Sequence, residues 1–146
     1  KLPELNRRRR VYVEEVEDGL AKIPGLSPIP SVPGAQRGGF YGFPVHYDAA
    51  KAGIPLDRFI QSLRDRGLTA NANPYPPLHT LPYFARGFDL FTRGRGPLAE
   101  GWKGYQPDDL PVTARMVKEL LFLPVLSDPV EGAAQAVLNI LREAAQ

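Results

Sequence analysis

The 146-residue chain has no cysteine, one methionine, one tryptophan and two histidines. Without thiols it can build neither a disulfide framework nor a thiolate metal site, and a reducing, cytoplasmic setting fits that composition. Its two histidines, 33 residues apart, make no metal-ligand cluster. No apolar run approaches the ~18 residues a membrane-spanning helix needs, and no signal-peptide pattern is visible, so no membrane partner is expected. A serine-type triad requires a base beside its nucleophile, and nothing local supports one. Asp108-Asp109 stands at a helix start, where capping accounts for it better than paired general acids do. These absences argue against a hydrolytic enzyme complete within this chain.

Positive charge is concentrated at one end. The first ten residues carry Lys1 and Arg7 to Arg10 against Glu4, a balance of +4, so the other 136 residues sum to −2. A nucleic-acid arm is one reading of such a run. Against it, Glu14, Glu15, Glu17 and Asp18 follow at once with no aromatic-rich basic surface, and no nucleic-acid partner is expected. The sequence opens at Lys1 and its sole methionine is Met116. Residue 1 is therefore expected not to be a native initiation site, and the chain to be a processed product or fragment of something longer.

Periodicity supplies the elements. Residues 2–22 read as an amphipathic helix with Leu5, Tyr12, Val16 and Leu20 on one stripe, and Arg10 and Glu14 stand at i,i+4 spacing. Pro24 to Pro33 reads as an extended connector. Alternation over Phe40 to Tyr47 places Tyr41, Phe43, Val45 and Tyr47 on one face of a strand, with Phe40 and His46 on the other. Pro44 predicts an edge strand or a bulge. A helix follows from Pro55 to about Arg66, with Leu56, Phe59, Ile60 and Leu63 inward and Gly67 as its stop. Leu68 to about Asn71 reads as a short strand. Arg86 to Gln106 is expected to be a long mobile excursion, and its Gly94-Arg95-Gly96 lacks the strand and helix of a phosphate-binding loop. Asp109 and Pro111 open a helix with Val112, Met116, Val117, Leu120 and Leu121 inward, and Leu121 to Leu126 reads as a strand. Asp128-Pro129-Val130-Glu131 resembles a capping box. It starts a last helix that buries Val130, Ala133, Ala134, Val137, Ile140 and Leu141. The expected fold class is α/β of the α+β type, a small sheet covered by helices.

The stretch Asn73 to Phe84 stands apart. It holds four of the 16 prolines, three aromatics and one of the two histidines in twelve residues. Proline fixes φ and removes a donor, so an extended, semi-rigid loop is expected rather than a helix or central strand. Such a loop loses little entropy on ordering, which suits presenting Tyr75 and His79. Set in order along the chain are Leu5-Asn6 with the arginines, Pro24-Gly25-Leu26, a Phe/Tyr strand, Leu56-Asp57-Arg58-Phe59, Leu63-Arg64 and Gly67. Then come Tyr75-x-Pro77-Leu78-His79-x-x-Pro82-x-Phe84, Pro111 with Ala114, and Leu123-Pro124.

This order resembles the C-terminal part of the DegT/DnrJ/StrS family of sugar aminotransferases, fold-type I enzymes that use pyridoxal phosphate (PLP). The resemblance covers essentially all of the chain. It implies a single small domain over 1–146, mainly antiparallel, that follows a PLP-binding domain in the parent. Within it, 1–22 is the interdomain helix and 73–106 the proline loop and excursion. It also implies a homodimer that moves an amino group from glutamate or glutamine to a keto sugar, nucleotide-linked, or to a cyclitol. Lys1, Lys22, Lys51, Lys103 and Lys118 match none of the family's cofactor-lysine motif, so no catalytic residue and no bound PLP are expected here. The family pattern singles out Tyr75 and His79 as substrate-binding, with Phe84 as the packing end. His79 is expected to donate to, or accept from, substrate hydroxyls or phosphate oxygens, or else to hold the loop by a backbone bond. Arg86, Arg93 and Arg95 are candidates for a diphosphate contact, with solvated arginines the simpler reading. Two departures leave the substrate subgroup open: the polar run Thr69 to Asn73, and the absence of a histidine after Leu123-Pro124. The competing reading is a non-catalytic protein-interaction module of the same fold.

Overall fold

A computed structural model of the chain describes residues 1–35, 37–85 and 104–146. These residues form two compact units, Lys1–Ala72 with Glu119–Gln146, and Asn73–Lys118. The expected excursion falls largely outside the described residues, as do Gly94-Arg95-Gly96 and Arg86, Arg93 and Arg95.

The first unit begins with helix α1, Leu2–Leu20. Its buried stripe is Tyr12, Val13, Val16 and Leu20, the face that the 3.6-residue period dictates. A strand β1, Leu26–Pro28, lies inside the stretch expected to be a plain connector. Strand β2, Phe43–Tyr47, alternates buried Phe43, Val45 and Tyr47 with half-buried Pro44 and His46. Tyr41, expected on one face with Phe43, Val45 and Tyr47, is 97% exposed because the strand starts two residues after it. Helix α2, Ala49–Ala52, is a single turn capped by the Asp48 carboxylate, which accepts from the Ala50 and Lys51 amides. Those amides and the Lys51 ammonium hold the Asp48 carboxyl below its usual range.

Helix α3, Leu56–Asp65, buries Phe59, Ile60 and Leu63. It ends as expected at Gly67, whose φ is +84°. The Gly67 amide donates to Arg64 O and the Leu68 amide to Leu63 O, the paired closure of a Schellman motif. Strand β3, Asn71–Ala72, is shorter and later than the expected Leu68–Asn71. Leu68 and Ala70 are buried instead, while the Arg64 guanidinium donates to Ala70 O and to Asn71 Oδ1, the latter at 2.8 Å.

Strand β4, Leu120–Leu123, completes a four-stranded, wholly antiparallel sheet of order β1-β2-β4-β3. Pro44 thus lies in an interior strand, contrary to the edge or bulge expected of it. The sheet tolerates it because β1 reaches only as far as Val45, leaving Pro44 with a neighbour on the β4 side alone. Helix α6, Ala133–Ala144, starts later than its sequence signals suggest. Its cap is Gly132 at φ +79°, and the capping-box residues are used elsewhere: Asp128 pairs with Arg8 and Val130 is exposed. It buries Ala134, Val137, Leu138, Leu141 and Ala144. Leu138 was missed by the periodicity reading, and Ile140 is only half-buried.

The core is where α1, α3 and α6 meet the face of the sheet carrying Phe43, Val45, Tyr47, Leu121 and Leu123. Each such side chain contributes about 1.5–3 kcal/mol on burial. Tyr12 meets Phe43 edge-on at 6.2 Å, and Tyr47 stacks on Phe59 at 5.0 Å. Both phenols are satisfied, Tyr12 donating to Pro124 O at 3.1 Å and Tyr47 to Ile54 O at 2.8 Å. Burial pushes each up to about 12.

The second unit holds the proline loop. It is more regular than expected: a 3-10 turn at Leu78–Thr80, then helix α4, Pro82–Ala85. Proline stands only at the entry to each, where a missing amide costs no helical bond. A second 3-10 turn, Pro107–Asp109, precedes helix α5, Pro111–Glu119. No residue of α5 is fully buried, and Val112 is exposed. The expected inward set there is therefore corrected: Leu120 and Leu121 belong to β4, and of that set the helix keeps only Met116 and Val117, both half-covered.

Candidate functional site

Residues 73–84 fold on themselves through their own polar groups. The Asn73 side chain brackets Tyr75, its Oδ1 accepting from the Tyr75 amide and its Nδ2 donating to the Tyr75 carbonyl, both at 3.2 Å. This is the Asx turn expected of asparagine before a proline-rich bend. The Thr80 hydroxyl and amide both donate to Pro77 O, at 2.8 and 3.0 Å, and the Leu81 amide donates to Leu78 O. The result is a stiff platform with two differently disposed aromatic groups. Tyr75 is 64% exposed and Leu78 beside it is exposed too. His79 is turned inward, 4% exposed, with Nε2 at 3.0 Å from Pro107 O and its ring edge-on to Tyr105. Among the described residues no bond joins Tyr75 to His79. The two site residues share a loop, and only one of them faces outward.

His79 thus ties the proline loop to the 105–109 segment, where the Asp109 carboxylate accepts from the Gln106 amide at 2.8 Å. The capping expected of Asp109 is met, though on the 3-10 turn rather than on α5.

Sequence reasoning missed a second polar cluster in the first unit. His46 Nε2 lies 2.8 Å from Glu119 Oε2, and Ser27 Oγ lies 3.5 Å from His46 Nδ1. Antiparallel pairing of Ser27 with His46, and of His46 with Leu120, brings these residues side by side from three separate parts of the chain. The one local signal was that alternation sets His46 opposite the core. The serine contact is at the outer limit of a hydrogen bond and the pair is partly solvated, so the arrangement reads as a hydrogen-bonded clasp on the sheet.

The arginine run is consumed by the fold. Arg7 pairs with Glu4 and Arg8 with Asp128, while Arg8 and Arg9 donate to the carbonyls of Pro129 and Ser127 at 3.2 Å. Arg10 donates to Arg37 O rather than pairing with Glu14, and Arg37 pairs with Glu17 and donates to Ile29 O. These guanidiniums clasp two loops to α1.

Three clefts of about 260–300 Å³ open in the first unit. One lies between α1 and the 31–40 loop, one between α1 and residues 129–134, and one under Ile29 to Pro44. None of the three is lined by a lysine, and the described lysines are all exposed. No group of three or more acidic or histidine side chains able to hold a metal ion occurs among the described residues. Among the described residues, then, none of these three clefts offers a lysine that could hold PLP covalently.

Comparison with known proteins gives a consistent picture. The profile of a family described as the DegT/DnrJ/EryC1/StrS aminotransferase family matches residues 1–142. The spore coat polysaccharide biosynthesis protein SpsC of Bacillus subtilis is 24% identical over 99% of this chain, which spans 34% of SpsC. The crystal structure of the aminotransferase TlmJ from Streptoalloteichus hindustanus superposes with a TM-score of 0.65 at 26% identity, covering 98% of this chain and 32% of TlmJ. DesI, solved in the presence of its TDP-sugar product, gives 0.69 at 23% identity with the same coverages. The chain thus spans about a third of the length of the relatives it matches.

Proposed function

Because the chain belongs to the DegT/DnrJ/EryC1/StrS aminotransferase family, we propose that it is the small C-terminal domain of a larger PLP-dependent enzyme. That enzyme transfers an amino group from glutamate or glutamine to a keto sugar, nucleotide-linked, or to a cyclitol. One observation carries this reading: nearly the whole of this chain aligns with only a third of each relative. The antiparallel sheet with its helices is then the second layer of a two-domain subunit, and the larger part lies in the two thirds of the relatives that this chain does not match.

PLP, where bound, withdraws electrons from the carbon that exchanges its amino group. The described residues offer no lysine in a cleft to hold it, so no chemical step is assigned to them. Their part is shape. The proline loop presents Tyr75 at the surface as a stacking and hydrogen-bonding wall for the sugar. His79 keeps that loop in place through Pro107 O. A wall already rigid before binding loses little entropy when substrate arrives, and it keeps water from the reacting centre. A homodimer that assembles its sites near the subunit contact completes the reading.

The test uses the chain itself. PLP is added, the mixture is reduced with borohydride, and the peptides are mapped by mass spectrometry. Scattered, substoichiometric labelling of exposed lysines is the expected result. Stoichiometric labelling of one lysine, with amino transfer by the chain alone, would show that the cofactor site is here and the proposal wrong.

A further inference from the structure

Both flanks of α1 are clasped by loops, and the stripe between them is left uncovered. On one flank Arg8 pairs with Asp128 and donates to Pro129 O; on the other Arg37 pairs with Glu17. Between the two the helical period sets Arg7, Val11, Glu14, Glu15 and Asp18 along one outward stripe, all of them exposed. A cleft of about 300 Å³ runs along one side of this ridge and one of about 260 Å³ along the other. Val11 on the ridge and Val130 in the larger cleft are apolar groups left open to water.

The stripe is divided by charge. Its first half holds Arg7 with exposed Arg10 beside it, its second half Glu14, Glu15 and Asp18, and Val11 lies between them. Among the described residues none of those three carboxylates makes a hydrogen bond or an ion pair. Arg10 stands one turn before Glu14, yet it donates to Arg37 O, a neutral group that leaves its charge unmatched. Arg7 does meet Glu4, the one acid in the basic half, at 2.7 Å. That pair is exposed on both sides, so it holds weakly and can be shared with a further carboxylate.

Two copies of α1 laid antiparallel about a twofold axis near Val11 set the basic half of each against the acidic half of the other, Arg7 opposite Glu15. Parallel packing would set like charge against like. A face with opposite signs on either side of an apolar centre complements itself, which an isologous contact requires and an unrelated partner does not. The relief agrees: a ridge flanked by clefts can seat in the cleft beside its partner's ridge, and the partner in turn in its own. We propose that the outward face of α1 is a self-association surface, occupied by the same face of a second copy of this chain. The inference rests on the homodimer reading above and deepens it, because it assigns a contact to a named face of this domain. Charge dominates that face, so the contact is weak and sensitive to salt.

Sedimentation velocity of the chain at rising concentration tests this. Expected is a monomer–dimer equilibrium that weakens about tenfold or more between ~50 and ~500 mM salt. Arg7→Glu with Arg10→Glu, and separately Glu14→Lys with Glu15→Lys, should each melt with the wild type and stay monomeric, while the two variants mixed together should associate. Because the chain has no cysteine, Val11→Cys should give a disulfide-linked dimer on mild oxidation. Leu2→Cys, about 27 Å from its counterpart in the antiparallel pair, should not. Cross-linking of Leu2→Cys as readily as Val11→Cys overturns the antiparallel arrangement, and a dimer indifferent to both charge reversals overturns the choice of face. A chain that stays monomeric throughout overturns the proposal while a dimeric full-length parent keeps the homodimer reading. A monomeric parent overturns both.

Discussion

Gly19, one residue before the end of α1, decides how closely that helix approaches α6, and replacing it sets two effects of opposite sign against each other. Alanine at a helix position is worth up to about 1 kcal/mol over glycine, less so near the end. A Cβ built at Gly19 would meet Leu138 Cδ1 at 2.4 Å, Cδ2 at 2.5 Å and Cγ at 3.0 Å. Ordinary carbon contacts are ~3.5–4.0 Å, so both methyls overlap by about an ångström or more. Leu138 is buried and cannot swing into solvent, so the helices must part or the leucine must leave its rotamer. Such overpacking costs about 1–3 kcal/mol, and the clash wins. Gly19→Ala should destabilise the chain by about 1–2 kcal/mol. Leu138→Ala alone should cost about 2–5 kcal/mol, but it empties the contested space. In that background Gly19→Ala should be neutral or slightly stabilising, a coupling of about 1–3 kcal/mol across the cycle. Urea unfolding followed by far-UV circular dichroism reads all four proteins, with the slope expected to stay constant. Additivity within about 0.5 kcal/mol, or a gain in stability from Gly19→Ala in the wild type, would refute the close-approach argument.

Two further outcomes follow from the first unit. Tyr12 and Tyr47 titrate at about 12 in the fold because burial disfavours their phenolates, against about 10 unfolded. The folded form holds those protons more tightly, so their contribution is complete below pH ~10 and is lost as pH rises towards ~12. Stability should fall by about 1 kcal/mol per tyrosine by pH ~11. A Tyr12→Phe, Tyr47→Phe variant with the same alkaline loss would count against that assignment. Gly67→Ala should cost about 1–2 kcal/mol from backbone conformation alone, since φ is +84° and nothing lies within 4 Å of the added carbon. A neutral result in thermal or urea melts would show that the Schellman closure is not what requires glycine.

Much of the helical skeleton was legible in the sequence because its cause is local. The stripe from Tyr12 to Leu20, the face of Phe59, Ile60 and Leu63, and the Gly67 stop all follow from a 3.6-residue period and one glycine's freedom. The alternation of Phe43, Val45 and Tyr47 was legible in the same way, and so were the proline loop and its family resemblance. Wherever a residue's role depends on a partner far along the chain, local signals misled. Asp128 and Pro129 look like a helix start, but Arg8, 120 residues earlier, takes the carboxylate and the carbonyl. Pro44 looks like an edge signal, and it was the length of β1 that made an interior position tolerable. β1 itself has no periodicity to read in three residues; only pairing with β2 makes it a strand.

The candidate site divides along the same line. That Tyr75 and His79 would be displayed on a stiff loop was set by the prolines and the Asx turn, all within a dozen residues. That His79 would turn inward to Pro107 O, with Tyr105 at its edge, required a segment almost 30 residues away. The meeting of Ser27, His46 and Glu119 likewise exists only once three strands are in register. Sequence sets periods, turns and caps because those energies lie between near neighbours. The direction in which one imidazole points is a tertiary quantity, decided by whichever distant carbonyl the folded chain brings within its reach.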